Sequence, residues 1–197
     1  MRVLVACEYS GTVRDQFIKA GHDAISCDIL PTKRPGPHIQ DDVLAVINDG
    51  WDLMVAHPPC DYLANSGNKH LYIDPLREQK AQVAARFFVK LLAAPIPRIC
   101  VENPIMRHAV ERVGRKPDQI IQPWQFGHME TKATCLWLKG LPKLQPISDL
   151  KDCTYAQPNN ERQKMFYMSP SPERGLLRSK TYHGFAWAMA QQWTKGS

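Results

Sequence analysis

No stretch of the sequence is apolar for long enough to span a bilayer. The N-terminal MRVLVACEYSG meets charge at Glu8 before its apolar part reaches the length of a secretory signal. The expectation is a mature cytoplasmic chain with no membrane partner. There is no CxxC pair and no cysteine–histidine cluster at zinc-like spacing, although His57 stands three residues before Cys60, so no metal site is expected. The six cysteines are also a poor disulfide framework. Cys7, Cys27, Cys100 and Cys135 lie inside or at the ends of apolar runs, where small buried hydrophobes belong. A reduced, intracellular protein follows. The first turn, CEYSGTV, contains only Gly11 and is no phosphate-cradling GxGxxG loop. No internal repeat is present.

What remains is ordinary for a globular chain. At 197 residues, 44% apolar and 22% charged, it fits one domain with a full core, or a domain with a small appendage. The net charge of +6 is uneven: residues 1–100 carry 11 basic and 11 acidic side chains, whereas 101–197 carry 14 and 8 and hold the entire excess. Such asymmetry suits a polyanionic partner at the C-terminal half and equally suits a solvated basic surface.

RVLVAC (2–7) reads as a strand, and SGTVRDQFIKAG as a turn and an amphipathic helix with Val13, Phe17 and Ala20 on one face and Gly21 as its C-terminal cap. DAISCDIL (23–30) is a second strand, PTKRPGPHIQ a proline-rich loop, and DDVLAVINDG an acidic pair with a short helix near a third strand end. WDLMVAHPP carries a buried strand. Asp74 and Pro75 suit the cap and first turn of the longest helix, with Leu76, Val83, Phe87 and Leu91 near one face and Ala84, Phe88 and Leu92 beside them. Arg98 to Val101 and TCLWLKG (134–140) are further strands, and a last helix runs from about Phe185 to Trp193. About Pro142 to Lys180 has turn residues, aromatics and base without a period, as an irregular loop or a substrate-facing insertion does. The alternation predicts an α/β fold with a mainly parallel, doubly wound sheet.

Ligands of such sheets bind outside the carboxyl ends of the strands. Cys7 and Glu8, Asp28, Asp42, Cys60 and Glu102 all fall at such ends. An acid about twenty residues past the first turn suits ribose hydroxyls, and the glycine-poor turn suits a nucleoside without a pyrophosphate. The two prolines before Cys60 restrict the backbone and fix the direction of its thiol.

Read together, these segments resemble the DNA cytosine-5 methyltransferase family. Its Pro-Pro-Cys loop and Glu-Asn strand end are similar to HPPCDYLANSG and CVENP. Its first three motifs are similar to VACEYSGTVRDQFIKAGH, SCDIL and DDV, its Gln-x-Arg-x-Arg strand to ETKATCLWLKG, and its last cofactor motif to RSKTYHGFAWAMAQQW. The resemblance covers most of 1–140 and returns at about 178–193. It implies a Rossmann-like S-adenosylmethionine-dependent methyltransferase fold, with 1–141 and 178–197 as the catalytic core and 142–177 as a short insertion where the family carries a target-recognition domain. Glu8 and Ser10 stand at family glycines, Asp61 at a glutamine, Pro104 at a valine, and Lys132 and Thr134 at two arginines.

The resemblance implies C5 methylation of cytosine with S-adenosyl-L-methionine as cofactor. Cys60 is the implied nucleophile, which needs a favoured thiolate. Glu102 is implied to protonate N3, a role that a raised pKa suits. Lys132 meets the base carbonyl or a phosphate, and Asn103 lies at the substrate and orients the loop. For the cofactor, Asp28 takes the ribose, Ile29 packs on adenine, and Asp42 with Val43 takes the adenine amine, with Cys7, Glu8, Gly11, Pro58 and Ser179 completing the set. His57 is a satisfied loop histidine without a role, and Tyr182, Trp187 and Trp193 belong to the core. Arg162, Lys164, Arg174, Arg178 and Lys180, among Phe166 and Tyr167, hold the backbone of DNA presented flipped or single-stranded. The missing recognition domain implies reduced specificity or a protein partner that supplies it, and a compact enzyme of this kind suits a phage in a host cytoplasm. Two other readings stay open: a binding protein with a decayed cofactor turn, and an enzyme acting on a free nucleotide or RNA.

Overall fold

A computed structural model of the chain describes residues 1–65, 76–106, 108–171 and 174–194. Its sheet has seven strands in the order β3-β2-β1-β4-β5-β7-β6. These are β1 (Arg2–Ala6), β2 (Asp23–Asp28), β3 (His38–Gln40), β4 (Leu53–Ala56), β5 (Arg98–Pro104), β6 (Gln119–Ile121) and β7 (Thr134–Lys139). The first five are parallel to one another, and β7 runs antiparallel between β5 and β6. The chain winds outward from β1 to β2 and β3, then returns to β4 on the other side of β1. The strand order therefore reverses between β1 and β4, which opens a crevice at their carboxyl ends.

β1 and β4 are continuous apolar runs because both faces of the sheet are covered. On one face, Leu4, Met54, Ile99 and Trp137 pack against α3 (Arg77–Leu92), α2 (Val43–Val46) and α4 (Ala109–Val113). On the other, Val3, Val5, Val55 and Leu136 pack against α1 (Thr12–Lys19) and α9 (His183–Gln192). The alternation of strand residues between the two cores is the period-two pattern of a pleated strand. Among the described residues, no helix is long and apolar enough to cross a membrane.

Several expectations need correction. β3 lies inside the segment read as a proline-rich loop, because three residues suffice to extend the sheet beside β2. β2 stops at Asp28, and β5 continues past Val101 to Pro104, since β7 still pairs with it where β4 has ended. The buried face of α3 is Ala81, Ala85, Phe88 and Leu91; Leu76 and Val83 are exposed. The expected cap residues Asp74 and Pro75 lie outside the described residues. Trp193 is core, but Trp187 is 45% exposed. The described residues of 142–180 include the short helices α5 (Lys151–Ala156), α6 (Asn159–Arg162), α7 (Lys164–Tyr167) and α8 (Arg174–Ser179).

α9 starts against a 3₁₀ turn at Pro123–Phe126, where Phe126 and Phe185 meet edge to face at 5.1 Å. A Cβ on Gly184 would overlap the Phe126 carbonyl, so this helix can approach only as glycine allows. Gly184→Ala is predicted to lower stability by about 2 kcal/mol through overpacking. The urea midpoint measures it, and an unchanged midpoint would show that the close approach does not exist in solution.

Candidate active site

The register of β4 on β5 builds the site. Ala56 pairs with Val101, so His57, the first residue after β4, lies beside Glu102, which β5 carries on in pairing with β7. His57 Nδ1 lies 2.9 Å from Glu102 Oε2, with side chains 8% and 14% exposed. The His57 amide donates to the Ala6 carbonyl, which ties this strand end to β1. Its Nε2 is buried with no partner among the described residues. Pro58 is buried and Pro59 exposed. The Asn103 side-chain Nδ2 donates to the Pro58 carbonyl at 3.3 Å, and the backbone amides of Leu63 and Ala64 donate to the Cys60 carbonyl at 3.1 and 2.9 Å. The half-buried Cys60 is thus held in place on both sides. Sequence reading gave His57 no role; its partner is 45 residues away, and no local pattern signals it.

The charges around this loop reverse two expectations. Burial alone would raise the Glu102 carboxyl, but the His57 hydrogen bond and the charges of His57 and Lys132 hold it below the ordinary value. Burial alone would lower His57, yet Glu102, with a smaller contribution from Glu8, keeps it above its ordinary 6.5. Glu102 therefore rests as a carboxylate, not as the proton-bearing acid expected. Burial pushes the Cys60 thiol up, Asp61 and Glu102 push it further, and Lys132 opposes them. The chain by itself favours the thiol over the thiolate.

Beside this loop, the β1 carboxyl end turns sharply at Cys7, whose φ is 57°. Burial raises its thiol, with Asp28 and Asp42 adding to the effect, so these groups share one electrostatic neighbourhood. Asp28 accepts from the Leu30 amide at 2.9 Å, and Ile29 is 73% exposed beside it. Asp42 caps α2 through the Leu44 amide at 3.0 Å, while the Val43 side chain is packed in the core and not on the rim.

Glu8 is turned inward. Its Oε1 accepts from the Val13 amide at 2.7 Å and the Ser10 hydroxyl at 3.0 Å, and its Oε2 from the Arg14 amide at 3.2 Å. The helix N-terminus that would attract a phosphate already holds the chain's own carboxylate. Arg14, fully buried, binds Asp15 and the carbonyls of Arg34 and Pro35, which fixes the proline-rich loop. Gly11 has φ 71°, and a Cβ there would meet the Arg14 guanidinium.

The cations expected on a backbone are largely engaged within the protein. Arg162 binds the Tyr155 carbonyl and stacks 5.0 Å from its ring, Lys164 pairs with Glu130 at 2.7 Å, and Arg174 binds the Phe166 carbonyl. The Arg178 carbonyl accepts from Lys132 Nζ at 2.7 Å, and Ser179 bonds the Leu176 carbonyl in its own helix. Lys180 is exposed on a cleft of about 430 Å³ whose lining includes Lys33, Arg34, Lys132, His128 and His183 and, among the described residues, no carboxylate. Lys33 and Arg34 escaped sequence reading because they come from the charge-balanced half of the chain. Tyr182 also lines the cleft and gives its hydroxyl to Glu130 at 2.7 Å.

The His57–Glu102 pair makes stability depend on pH from both sides. Glu102 is depressed, so its contribution is complete above its ordinary value and fades as pH falls through the folded one; His57 is raised, so its contribution fades as pH climbs beyond 6.5 through the folded value. Glu102→Gln is predicted to cost about 3 kcal/mol near pH 6 and less at either extreme. Urea midpoints across pH measure this, and a pH-independent difference would refute the ion pair.

No family model matches the chain, and no curated protein does. Solved structures do. A methyltransferase of Entamoeba histolytica, EhMeth, is 15% identical with a TM-score of 0.50 over 76% of this chain and 57% of that one. A prophage-encoded Escherichia coli protein, described as a DNA modification methyltransferase, is 16% identical with a TM-score of 0.46 over 81% and 56%. A variant of Spodoptera frugiperda DNMT2 is 12% identical with a TM-score of 0.40 over 75% and 54%. The chain spans a little over half the length of these structures. Together with the sheet order, the likeness to the Entamoeba histolytica structure shows that the chain has a Rossmann-like methyltransferase fold.

Proposed function

We propose that the chain methylates C5 of cytosine in DNA with S-adenosyl-L-methionine as methyl donor. The observation that carries this reading is that the loop after β4 brings Cys60 within the electrostatic reach of Glu102 on neighbouring β5, with the Asn103 side chain bonded to the loop that presents the thiol. The donor set at the β1–β2 rim suits an adenosine: Asp28 for the ribose hydroxyls, the exposed Ile29 for a face of the base, and Asp42 for its amine. Closure of the α1 terminus by Glu8 argues against a dinucleotide there. When bound, S-adenosylmethionine supplies an electrophilic methyl group for C5.

Cytosine C5 is a poor nucleophile until a thiolate adds across C6 and gives C5 enamine character. Cys60, once deprotonated, makes that bond; after methylation and loss of the C5 proton it leaves, and the aromatic ring is restored. Glu102 presents its second oxygen, Oε1, to N3 and the exocyclic amine, and Lys132 lies where its charge reaches both Glu102 and Cys60. The cationic cleft takes the backbone, with Lys33 and Lys180 as its contacts, and a flipped or single-stranded base reaches Cys60. The short 142–177 segment leaves sequence choice to few contacts or to a protein partner.

Transfer of labelled methyl to cytosine C5 of mixed-sequence DNA tests the reading. Label is expected in the unaltered chain and absent in Cys60→Ala and Glu102→Ala. Cofactor binding without label on DNA would redirect the activity to a nucleotide or RNA. Neither cofactor binding nor label would favour the binding-protein reading, which Glu8 in the first turn supports. Lys33→Ala with Lys180→Ala is predicted to reduce the dependence of log affinity on log salt by about two. An unchanged slope would remove the cleft from the DNA contact.

A further inference from the structure

His57 occupies a place that a general loop residue does not need. It leaves β4 beside Glu102, is anchored by its amide to β1, and directs Nδ1 at Glu102 Oε2 across 2.9 Å with both side chains buried. Three charged groups act on it, one from each neighbouring segment: Glu102 from β5 in direct contact, and by charge at longer range Glu8 from the turn between β1 and α1 and Lys132 from the segment leading into β7. Its contact with Oε2 leaves Oε1 for a base, and Oε1 makes no hydrogen bond to the described residues.

A carboxylate at Oε1 and the lone pair of cytosine N3 are both acceptors and repel unless a proton lies between them. The Glu102 carboxyl is held ionised by its surroundings, so it brings no proton of its own near neutrality. We propose that His57 is the positioning residue that stores this proton, so that His57 and Glu102 act as one titrating unit; the inference rests on the methyltransferase reading above. As Cys60 adds to C6, the proton on His57 Nδ1 passes to Glu102 Oε2, and a turn of the carboxyl brings that O–H to N3, which takes the proton. The imidazole becomes neutral, the carboxylate is restored, and N3 carries the proton. When the thiolate departs, N3 returns the proton to the carboxyl and thence to Nδ1, so the unit is unchanged over the cycle.

His57→Asn tests this, because its amide keeps an N–H donor near the Nδ1 position and removes the titrating proton. The pH profile of single-turnover methyl transfer is expected to lose its alkaline side: the variant falls roughly tenfold or more below the unaltered chain as pH rises through the range in which His57 still holds its proton, and the gap narrows toward acid pH, where Glu102 can take a proton directly. Parallel profiles, whether displaced or coincident, would overturn the inference while leaving the methyltransferase reading intact. Absence of methyl transfer by the unaltered chain at every pH would overturn the methyltransferase reading, and the proton-storage role with it. NMR titration of the His57 ring provides a readout that does not need turnover. Its midpoint is expected to fall in Glu102→Gln, and an unmoved midpoint would overturn the single-unit description by itself.

Discussion

One register governs this protein: Ala56 opposite Val101 in the parallel pairing of β4 and β5. It places His57 beside Glu102 and brings Pro58 under the Asn103 amide, so that Cys60 is presented over the same rim. Side chains alternate along a strand, and a shift of one residue would carry Glu102 to the other face. The apolar runs at Leu53–Ala56 and Ile99–Val101, buried on both faces, hold that register in place. A remote constraint thereby sets local chemistry. β7 contributes too, since its antiparallel pairing extends β5 through Asn103 and keeps Asn103 in strand geometry beneath the loop.

The turn after β1 solves a different problem with buried charge. Glu8 supplies the carboxylate that α1 needs at its N-terminus, and Arg14, one turn further on, binds Asp15 and the carbonyls of the loop after β2. A glycine-rich turn would leave the helix amides open to a phosphate. Here those amides are satisfied within the chain, and the binding surface moves to the strand ends around Cys7, Asp28 and Asp42. Gly11 follows from this arrangement, because the Arg14 guanidinium fills the space a Cβ would take.

Much of the architecture was legible because it is periodic or punctuated. β1, β2, β4, β5 and β7 are apolar runs bounded by turns, and α1 and α9 follow helical patterns or caps. β3 and β6 were not legible, since strands of three residues carry too little pattern and acquire their state from a neighbour. The face of α3 was misjudged because small alanines form the contact and larger Leu76 and Val83 do not. At the site, Cys60 and Glu102 were singled out as polar groups near strand ends and by the family resemblance, with Asn103 beside them. His57 was not, because a histidine before two prolines resembles any turn until its distant partner is known. The states of Cys60 and Glu102 were also misread, since each depends on which charges the fold brings near.

Charge composition leaves the place of the cationic surface open for the same reason. The C-terminal half contains the whole positive excess, yet Arg162, Lys164 and Arg174 bind Tyr155, Glu130 and Phe166 within the protein. The cleft instead draws Lys33 and Arg34 from the balanced half and sets them across from Lys180. A formal charge reports neither where a side chain ends nor what already neutralises it. The residues that line the cleft, not the total, set the field a polyanion can meet there, and in this chain Lys33 and Lys180 come together from segments almost 150 positions apart, with Arg34 beside them paired to Asp15.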